Sequence, residues 1–360
     1  MTSLLAAFFA SFVATFLIVR FQHMHGRFSG DHYLSGPQKF HTKSVPRIGG
    51  VGVAFGVLAA TFVHLQDNPA SAFEITLLLC AIPTFAIGLT EDLSKAVSVR
   101  SRLLFTALAA GLAAHYLGAQ IPRLDILGID YLLSIPLIAF IFTVFAITGL
   151  SNAYNIIDGF NGLSSMVGII TLLGLAYVSF TVGDTLITYL SMIMVSSIMG
   201  FFILNYPRGL IFLGDGGAYL IGFWIALLCV LLTVRQPQVS PWFALLINAY
   251  PILETLFTIY RRRIHQGKSA GLPDGIHFHT LIYRRILNPA IAKNEKKWFS
   301  ANAMTAPYLW ILSTFAVVPA ILCWQSTPIL VTAAIVFAIL YIWLYKRVVG
   351  FRTPKWLQPL

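Results

Sequence analysis

Residues 218–234 read AYLIGFWIALLCVLLTV, seventeen positions without a charged side chain. Wound as an α-helix they cover about 26 Å, most of the roughly 30 Å of hydrocarbon in a bilayer. The run has no polar stripe, so the helix it predicts has no face suited to water. It is entered through GDGG at 214–217 and left through Arg235. Comparable apolar runs fall at roughly 3–19, 48–65, 72–89, 103–120, 132–150, 163–182, 186–204, 240–260, 303–324 and 329–345. Together they predict an all-α polytopic membrane protein of about eleven transmembrane helices, forming a single membrane-embedded domain over residues 1–360. The runs meeting near Gly183 and near Ser326 are so close that each pair must form a tight antiparallel hairpin.

Composition agrees. Of 360 residues, 58% are hydrophobic and 10% charged, and the mean hydropathy is +0.80. That is too little charge to cover a soluble domain of this length. The formal net charge of +11 is the excess that cytoplasmic loops carry. No basic stripe lies on a soluble module, so no nucleic-acid partner is expected. Cys80, Cys229 and Cys323 sit inside apolar runs without metal-type spacing and read as packing residues. Residues 3–19 lack a basic leader and are followed by Arg20, which suits a retained first span.

Charge also orients the chain. The loops at about 20–47, 90–102, 151–162, 205–217, 261–302 and 346–360 hold 22 of the 24 Lys and Arg residues, and the alternate loops hold Arg123 and Arg235. The N-terminus is therefore expected on the periplasmic side and the C-terminus in the cytoplasm.

The first five of these inner loops carry the residues suited to chemistry. The first ends HTKSVPRIGG, residues 41–50, where Lys43 and Arg47 offer cations to phosphate and Gly49–Gly50 open a helix start. Ordinary positive-inside charge would look similar. The second reads GLTEDLSKAVSVRSRL, residues 88–103, with adjacent acids Glu91 and Asp92 followed by Lys95, Arg100 and Arg102. Adjacent carboxylates raise one another's pKa, which suits a base beside a metal-bound acid; a solvated loop with local ion pairs is the plain alternative. The third, SNAYNIIDGFNGLSS at 151–165, has Asn152, Asn155, Asp158 and Asn161 and no Lys or Arg. Carboxamides and a carboxylate suit an oxygen-ligated cation and a nucleobase. If the preceding helix continues, positions 152, 155 and 158 share one face. The fourth places Asp215 within GDGG, where glycines permit close approach of phosphate or metal. The fifth, RRRIHQGKSAGLPDGIHFHTLIYRR at 261–285, sets His277 and His279 among Arg261–Arg263, Lys268, Arg284 and Arg285. A zinc site is a competing reading, yet many cations and no neighbouring cysteine suit polyphosphate better. Membrane anchoring accounts for part of the triple Arg.

The ordered set VPRIGG, GLTEDLSK, NAYNIIDGFNGL, FLGDGG and DGIHFH resembles the polyprenyl-phosphate N-acetylhexosamine-1-phosphate transferases of glycosyltransferase family 4 (the MraY/WecA type), from about residue 40 to 285. The resemblance implies transfer of a sugar-1-phosphate from a UDP-N-acetylhexosamine, or a deoxy relative, to undecaprenyl phosphate with release of UMP. It implies Mg²⁺ as cofactor, with Mn²⁺ a candidate substitute, and Asp215 and Asn155 as metal ligands. Glu91, Asp92, Asp158 and Asp215 are then the candidate catalytic acids. Lys43, Arg47, Asn152, Asn161, Arg261, His277 and His279 are the candidate substrate-binding residues, with Asn161 at uracil and the histidines near the donor phosphates. The implied setting is a bacterial inner membrane with the active site on its cytoplasmic face, and a homodimer is compatible with it.

Two departures stand out. The family's Asp-Asp pair is Glu91-Asp92 here, and in the family's DRxHxHH motif Gly275 and Thr280 replace the Arg and the last His. The second favours a branch priming O-antigen or other surface glycans over the peptidoglycan first-step phospho-MurNAc-pentapeptide transferase. A secondary transporter, the rival from another class, would need polar residues at mid-membrane. Here Glu254, one turn beyond Pro251, is the main polar interruption of a span, and the pair predicts a kinked helix with a buried acid near its cytoplasmic end.

Overall fold

The computed structural model describes residues 1–30, 45–67, 72–265, 267, 275–287, 298–352 and 354. Among them are fifteen α-helices and no β-strand. In chain order these are α1 (Thr2–Arg20), α2 (Gln22–Ser29), α3 (Gly49–Asp67), α4 (Ala72–Ser94), α5 (Val99–Tyr116), α6 (Ile129–Leu133), α7 (Pro136–Ile157) and α8 (Leu163–Thr181). They continue as α9 (Thr185–Asn205), α10 (Gly214–Arg235), α11 (Pro241–Ile247), α12 (Ala249–Tyr260), α13 (Phe278–Ile282), α14 (Trp298–Leu322) and α15 (Thr327–Val349). Single π-helical turns, Arg261–His265 and Tyr283–Leu287, extend α12 and α13.

Every predicted apolar run is helical. Nine of the described helices are long and apolar enough to cross a membrane, and the bent pair α11–α12 is a tenth candidate. The run expected at 103–120 is α5, which starts four residues earlier and takes Arg100 and Arg102 into its first turn. Those two cations make it less apolar than the others. The hairpins expected at Gly183 and Ser326 join α8 to α9 and α14 to α15.

The segment at 240–260 bends by 74° at Asn248. Pro251 explains the position: its ring would clash with the carbonyl of residue 247 if one helix ran through, whereas the first turn of a new helix tolerates proline. Asn248 secures the break. Its Nδ2 donates to the Ala244 carbonyl at 3.0 Å, and its Oδ1 accepts from the Tyr154 hydroxyl at 3.1 Å.

Helix α10 is the axis of the fold. It packs against α3, α4, α7, α8 and α9, and 94% of its span is buried, compared with 22% for α1 and α15 at the periphery. An evenly apolar helix belongs in that place. Lipid tails are as apolar as side chains, so the closeness of packing, and not removal from water, holds such helices together. Glycines supply the closeness. A Cβ on Gly50 of α3 would lie 2.3 Å from the Gly217 nitrogen, and one on Gly88 of α4 would lie 2.7 Å from the Gly216 Cα.

Candidate active site

The sequence motifs lie at helix ends instead of in free loops. Helix α4 runs on to Ser94 and carries Glu91 and Asp92 in its last turns. Helix α7 runs on to Ile157, so Asn152 and Asn155 are helical and Asp158 is the residue that ends the helix. Helix α10 begins at Gly214. The connections that remain are short, which fixes the polar side chains on rigid elements.

Backbone hydrogen bonds stitch the VPRIGG and FLGDGG segments together. The Phe212 N–H donates to Pro46 at 2.8 Å, Gly49 to Phe212 at 2.9 Å, and Gly50 to Leu213 at 2.8 Å. Arg47 is thereby held beside the first turn of α10. Its Nη2 lies 3.4 Å from Asp215 Oδ1 and 3.8 Å from Asp92 Oδ1. Arg102, from the first turn of α5, pairs through Nη1 with Asp215 Oδ2.

The adjacent acids diverge, as neighbours on a helix must. Asp92 is buried, and its carboxylate caps α10 by accepting from the N–H groups of Asp215 at 2.8 Å and Gly216 at 2.9 Å. An anion at a helix N-terminus satisfies otherwise unpaired donors and opposes the helix dipole. Glu91 turns to its own segment, where Oε2 accepts from the Val97 N–H at 2.7 Å. The sequence-level pairing of Glu91 and Asp92 is therefore divided between a local turn and the α10 cap.

Asp158 joins the cluster electrostatically. Desolvation pushes its pKa up to about 7, with Asp215 adding to the rise and Arg47 opposing it. Three carboxylates (Asp92, Asp158 and Asp215) thus share two guanidinium groups, Arg47 and Arg102. Ionised together they leave an excess of negative charge that a divalent cation would reverse. Among the described residues no group of three or more His, Cys, Asp or Glu is arranged to hold a metal ion. An oxygen-ligated cation such as Mg²⁺ needs only one or two protein carboxylates, with waters and substrate phosphates for the rest. Asp215 and Asp158 fit this role, with Asn155 less than one turn before Asp158 in the chain.

Other predicted residues occupy the surroundings. Asn152 Oδ1 accepts from the Tyr219 hydroxyl at 3.0 Å, tying α7 to α10 one turn inside Asp215. Asn161 is buried in a second cluster. Its backbone N–H donates to Asn302 Oδ1 at 3.0 Å and its Nδ2 to the Pro207 carbonyl at 3.3 Å. Beside it the Gly162 N–H donates to Asn205 Oδ1 at 2.6 Å. His277 and His279 stack at 5.1 Å between ring centroids, and the His279 ring stands 5.6 Å from Phe160 in a T-shaped contact. A Cβ on Gly159 would meet His279 Nε2 at 3.0 Å. The histidine motif therefore packs on the loop that carries Asp158. Arg261 is buried, its guanidinium 6.0 Å from the Tyr345 ring centre. Lys43 and Lys268 lie outside the described residues.

Several participants were absent from the predicted set. Arg102 had a legible signal, because an arginine in the first turn of a helix is opposed by the helix dipole and needs a carboxylate elsewhere. Asn302 falls in the stretch expected as the loop 261–302, and only its place in the first turns of α14 brings it to Asn161. Tyr219 and Asn205 carry no such signal.

Sequence comparison finds relatives over the same region. The model of glycosyl transferase family 4 matches residues 75–233, the stretch from α4 to α10 that supplies Asp92, Arg102, Asn152, Asp158 and Asp215. A Bacillus subtilis protein named probable undecaprenyl-phosphate N-acetylglucosaminyl 1-phosphate transferase is 28% identical over 67% of this chain and 66% of its own length. A Thermotoga maritima undecaprenyl-phosphate α-N-acetylglucosaminyl 1-phosphate transferase is 28% identical over 69% and 72%. A Streptococcus thermophilus phospho-N-acetylmuramoyl-pentapeptide-transferase is 24% identical over 75% and 82%. These relatives, and the motif residues gathered at α10, make the chain similar to glycosyl transferase family 4 over the stretch from α4 to α10.

Proposed function

We propose that this protein transfers an N-acetylhexosamine-1-phosphate unit, or a deoxy relative, from a UDP-sugar to undecaprenyl phosphate, on the cytoplasmic face of a bacterial inner membrane, as a priming step of surface-glycan synthesis. The observation that carries this reading is the meeting of three carboxylates and two arginines at the first turn of α10, in a chain whose relatives are named for such transfers.

The chemistry follows from the charges. An oxygen of the acceptor phosphate attacks the sugar-linked phosphorus of the donor. The bond from that phosphorus to the bridging oxygen breaks, and UMP leaves with the electron pair. A phosphate monoester has its second pKa at about 6, so the acceptor is already a nucleophilic dianion near neutral pH and needs no strong base. The obstacle is repulsion between two polyanions. Arg47 and Arg102 bring positive charge to the place where phosphates would meet. Asp92 holds the first turn of α10, and Asp215 with it, in fixed geometry. Asp215, with Asn155 or Asp158, would hold Mg²⁺, which would supply charge neutralisation to the phosphates. His277 and His279, packed on the Asp158 loop, suit the donor phosphates.

The test is release of UMP from UDP-N-acetylglucosamine by the purified protein with undecaprenyl phosphate and Mg²⁺, repeated over a panel of UDP-sugars. Acceptor-dependent UMP release from at least one donor is expected. No release from any UDP-N-acetylhexosamine would overturn the reading.

A further inference from the structure

Glu254 lies on α12 within the bent pair, far in sequence from the α10 cluster, yet it is among the most completely bonded acids in the molecule. It is 1% exposed. Its Oε1 accepts from His277 Nδ1 at 3.1 Å and from the Phe278 N–H at 3.0 Å, and its Oε2 accepts from the Tyr341 hydroxyl at 3.0 Å. An ionised carboxylate in a span is costly and persists where its lone pairs are filled. Here three donors from α13 and α15 fill them. One side chain thereby joins the bent span, the histidine motif and the last helix.

The bonds also specify a proton. A carboxylate accepts and cannot donate, so His277 Nδ1 must carry hydrogen to bond it. Thr258 Oγ1, 3.2 Å from the same nitrogen, is then a second acceptor for that hydrogen. With Nδ1 protonated, what Nε2 offers is set: a lone pair in the neutral ring, an N–H in the imidazolium. The stacked pair transmits the placement, since His277 lies against His279, and His279 lies against Gly159 and Phe160 beside Asp158.

We propose that Glu254 is a positioning residue for phosphoryl transfer: with Tyr341 and Thr258 it fixes His277 as the Nδ1–H tautomer and seats the His277–His279 pair against the Asp158 loop. The inference rests on the transferase reading for its kinetic consequence and on hydrogen-bond geometry alone for its structural one. Partners that orient a functional histidine commonly change rate or affinity about 10- to 100-fold when altered. Among the described residues the titratable groups facing the network include His277, His279, Tyr250, Tyr341 and Tyr345.

The experiment uses the full chain in detergent or nanodiscs and compares wild type, E254Q, E254D and Y341F. Expected for E254Q is a kcat lower by about 10- to 100-fold with donor KM within about threefold, and partial recovery in E254D. Histidine ¹⁵N spectra, with His277 assigned by H277N, should show the Nδ1–H signature in wild type and a mixture in E254Q. E254Q keeping both wild-type kcat and the wild-type ¹⁵N pattern overturns the proposal. So does a loss of activity that follows thermal unfolding while the His277 tautomer is unchanged, which marks a purely structural role. If wild type releases no UMP, the transferase reading fails, and the ¹⁵N comparison still decides whether Glu254 sets the ring.

Discussion

The two ends of α10 lie about 33 Å apart, and each bears an arginine–aspartate contact built on an opposite plan. At the far end Arg235 donates through Nε to Asp184 Oδ2 at 2.7 Å and through Nη2 to Oδ1 at 3.2 Å. Gln236 and the Ile187 N–H complete the shell of the same carboxylate. Burial works to raise the pKa of Asp184, but the bonds from Arg235, Ile187 and Gln236 outweigh it and hold the acid below its usual range. At the GDGG end three carboxylates divide two guanidinium groups, and Asp158 is pushed the other way, to about 7. One end is a saturated lock. The other keeps an acid excess.

The sharpest way to break this contrast is to neutralise one acid at each end. D215N should lower UMP release by about 100- to 1,000-fold, the scale of losing a main charge-stabilising group. D184N and R235A should leave the rate of folded protein within about twofold of wild type in the same assay. Equal losses at the two ends would dissolve the distinction.

Titration comes next in size. Because the folded pKa of Asp158 is raised, the native state binds an extra proton between the unfolded value and about 7. The stability this contributes is full below the unfolded pKa and lost as pH rises through 7, so metal-free protein should melt lower at pH 8 than at pH 6. Activity at subsaturating Mg²⁺ should run oppositely. It should fall by roughly tenfold per pH unit below 7 as the carboxyl protonates, and D158N should flatten both profiles. Asp184, with its pKa lowered, contributes stability that is present above the unfolded value and lost as pH falls, so D184N should weaken the acid sensitivity of unfolding.

Smaller effects concern packing. G50A sets a methyl group against the Gly217 backbone and should cost about 1–3 kcal/mol by overpacking, visible as a lower melting temperature with activity falling in parallel. D184A removes the side chain that caps α9 and should cost about 1 kcal/mol without changing the kinetics of the folded fraction.

Much of this was legible in the chain. The apolar runs gave every span candidate because a bilayer imposes length and composition directly on sequence. The Asp215, Asp92 and Arg47 neighbourhood could be anticipated as a set of motifs, and the kink from Pro251 was visible. What could not be read was commitment. Nothing in GLTEDLSK distinguishes Asp92, spent on the α10 cap, from Glu91, spent on Val97, because the difference comes from which helix lies opposite. Glu254 was equally ambiguous, since its partners sit 23 to 87 positions away. The ends of α4 and α7 run past their apolar stretches into the polar segments 90–94 and 151–157, which composition alone assigns to loops.

The stitched first turn of α10 has a mechanical consequence. A strut clamped by backbone bonds to α3, capped by Asp92 of α4 and enclosed along its length has almost no compliance. It cannot tilt or slide without parting several helices at once. Any breathing that admits and releases two bulky anions must therefore fall on elements other than α10. The reacting end stays still, and its surroundings move.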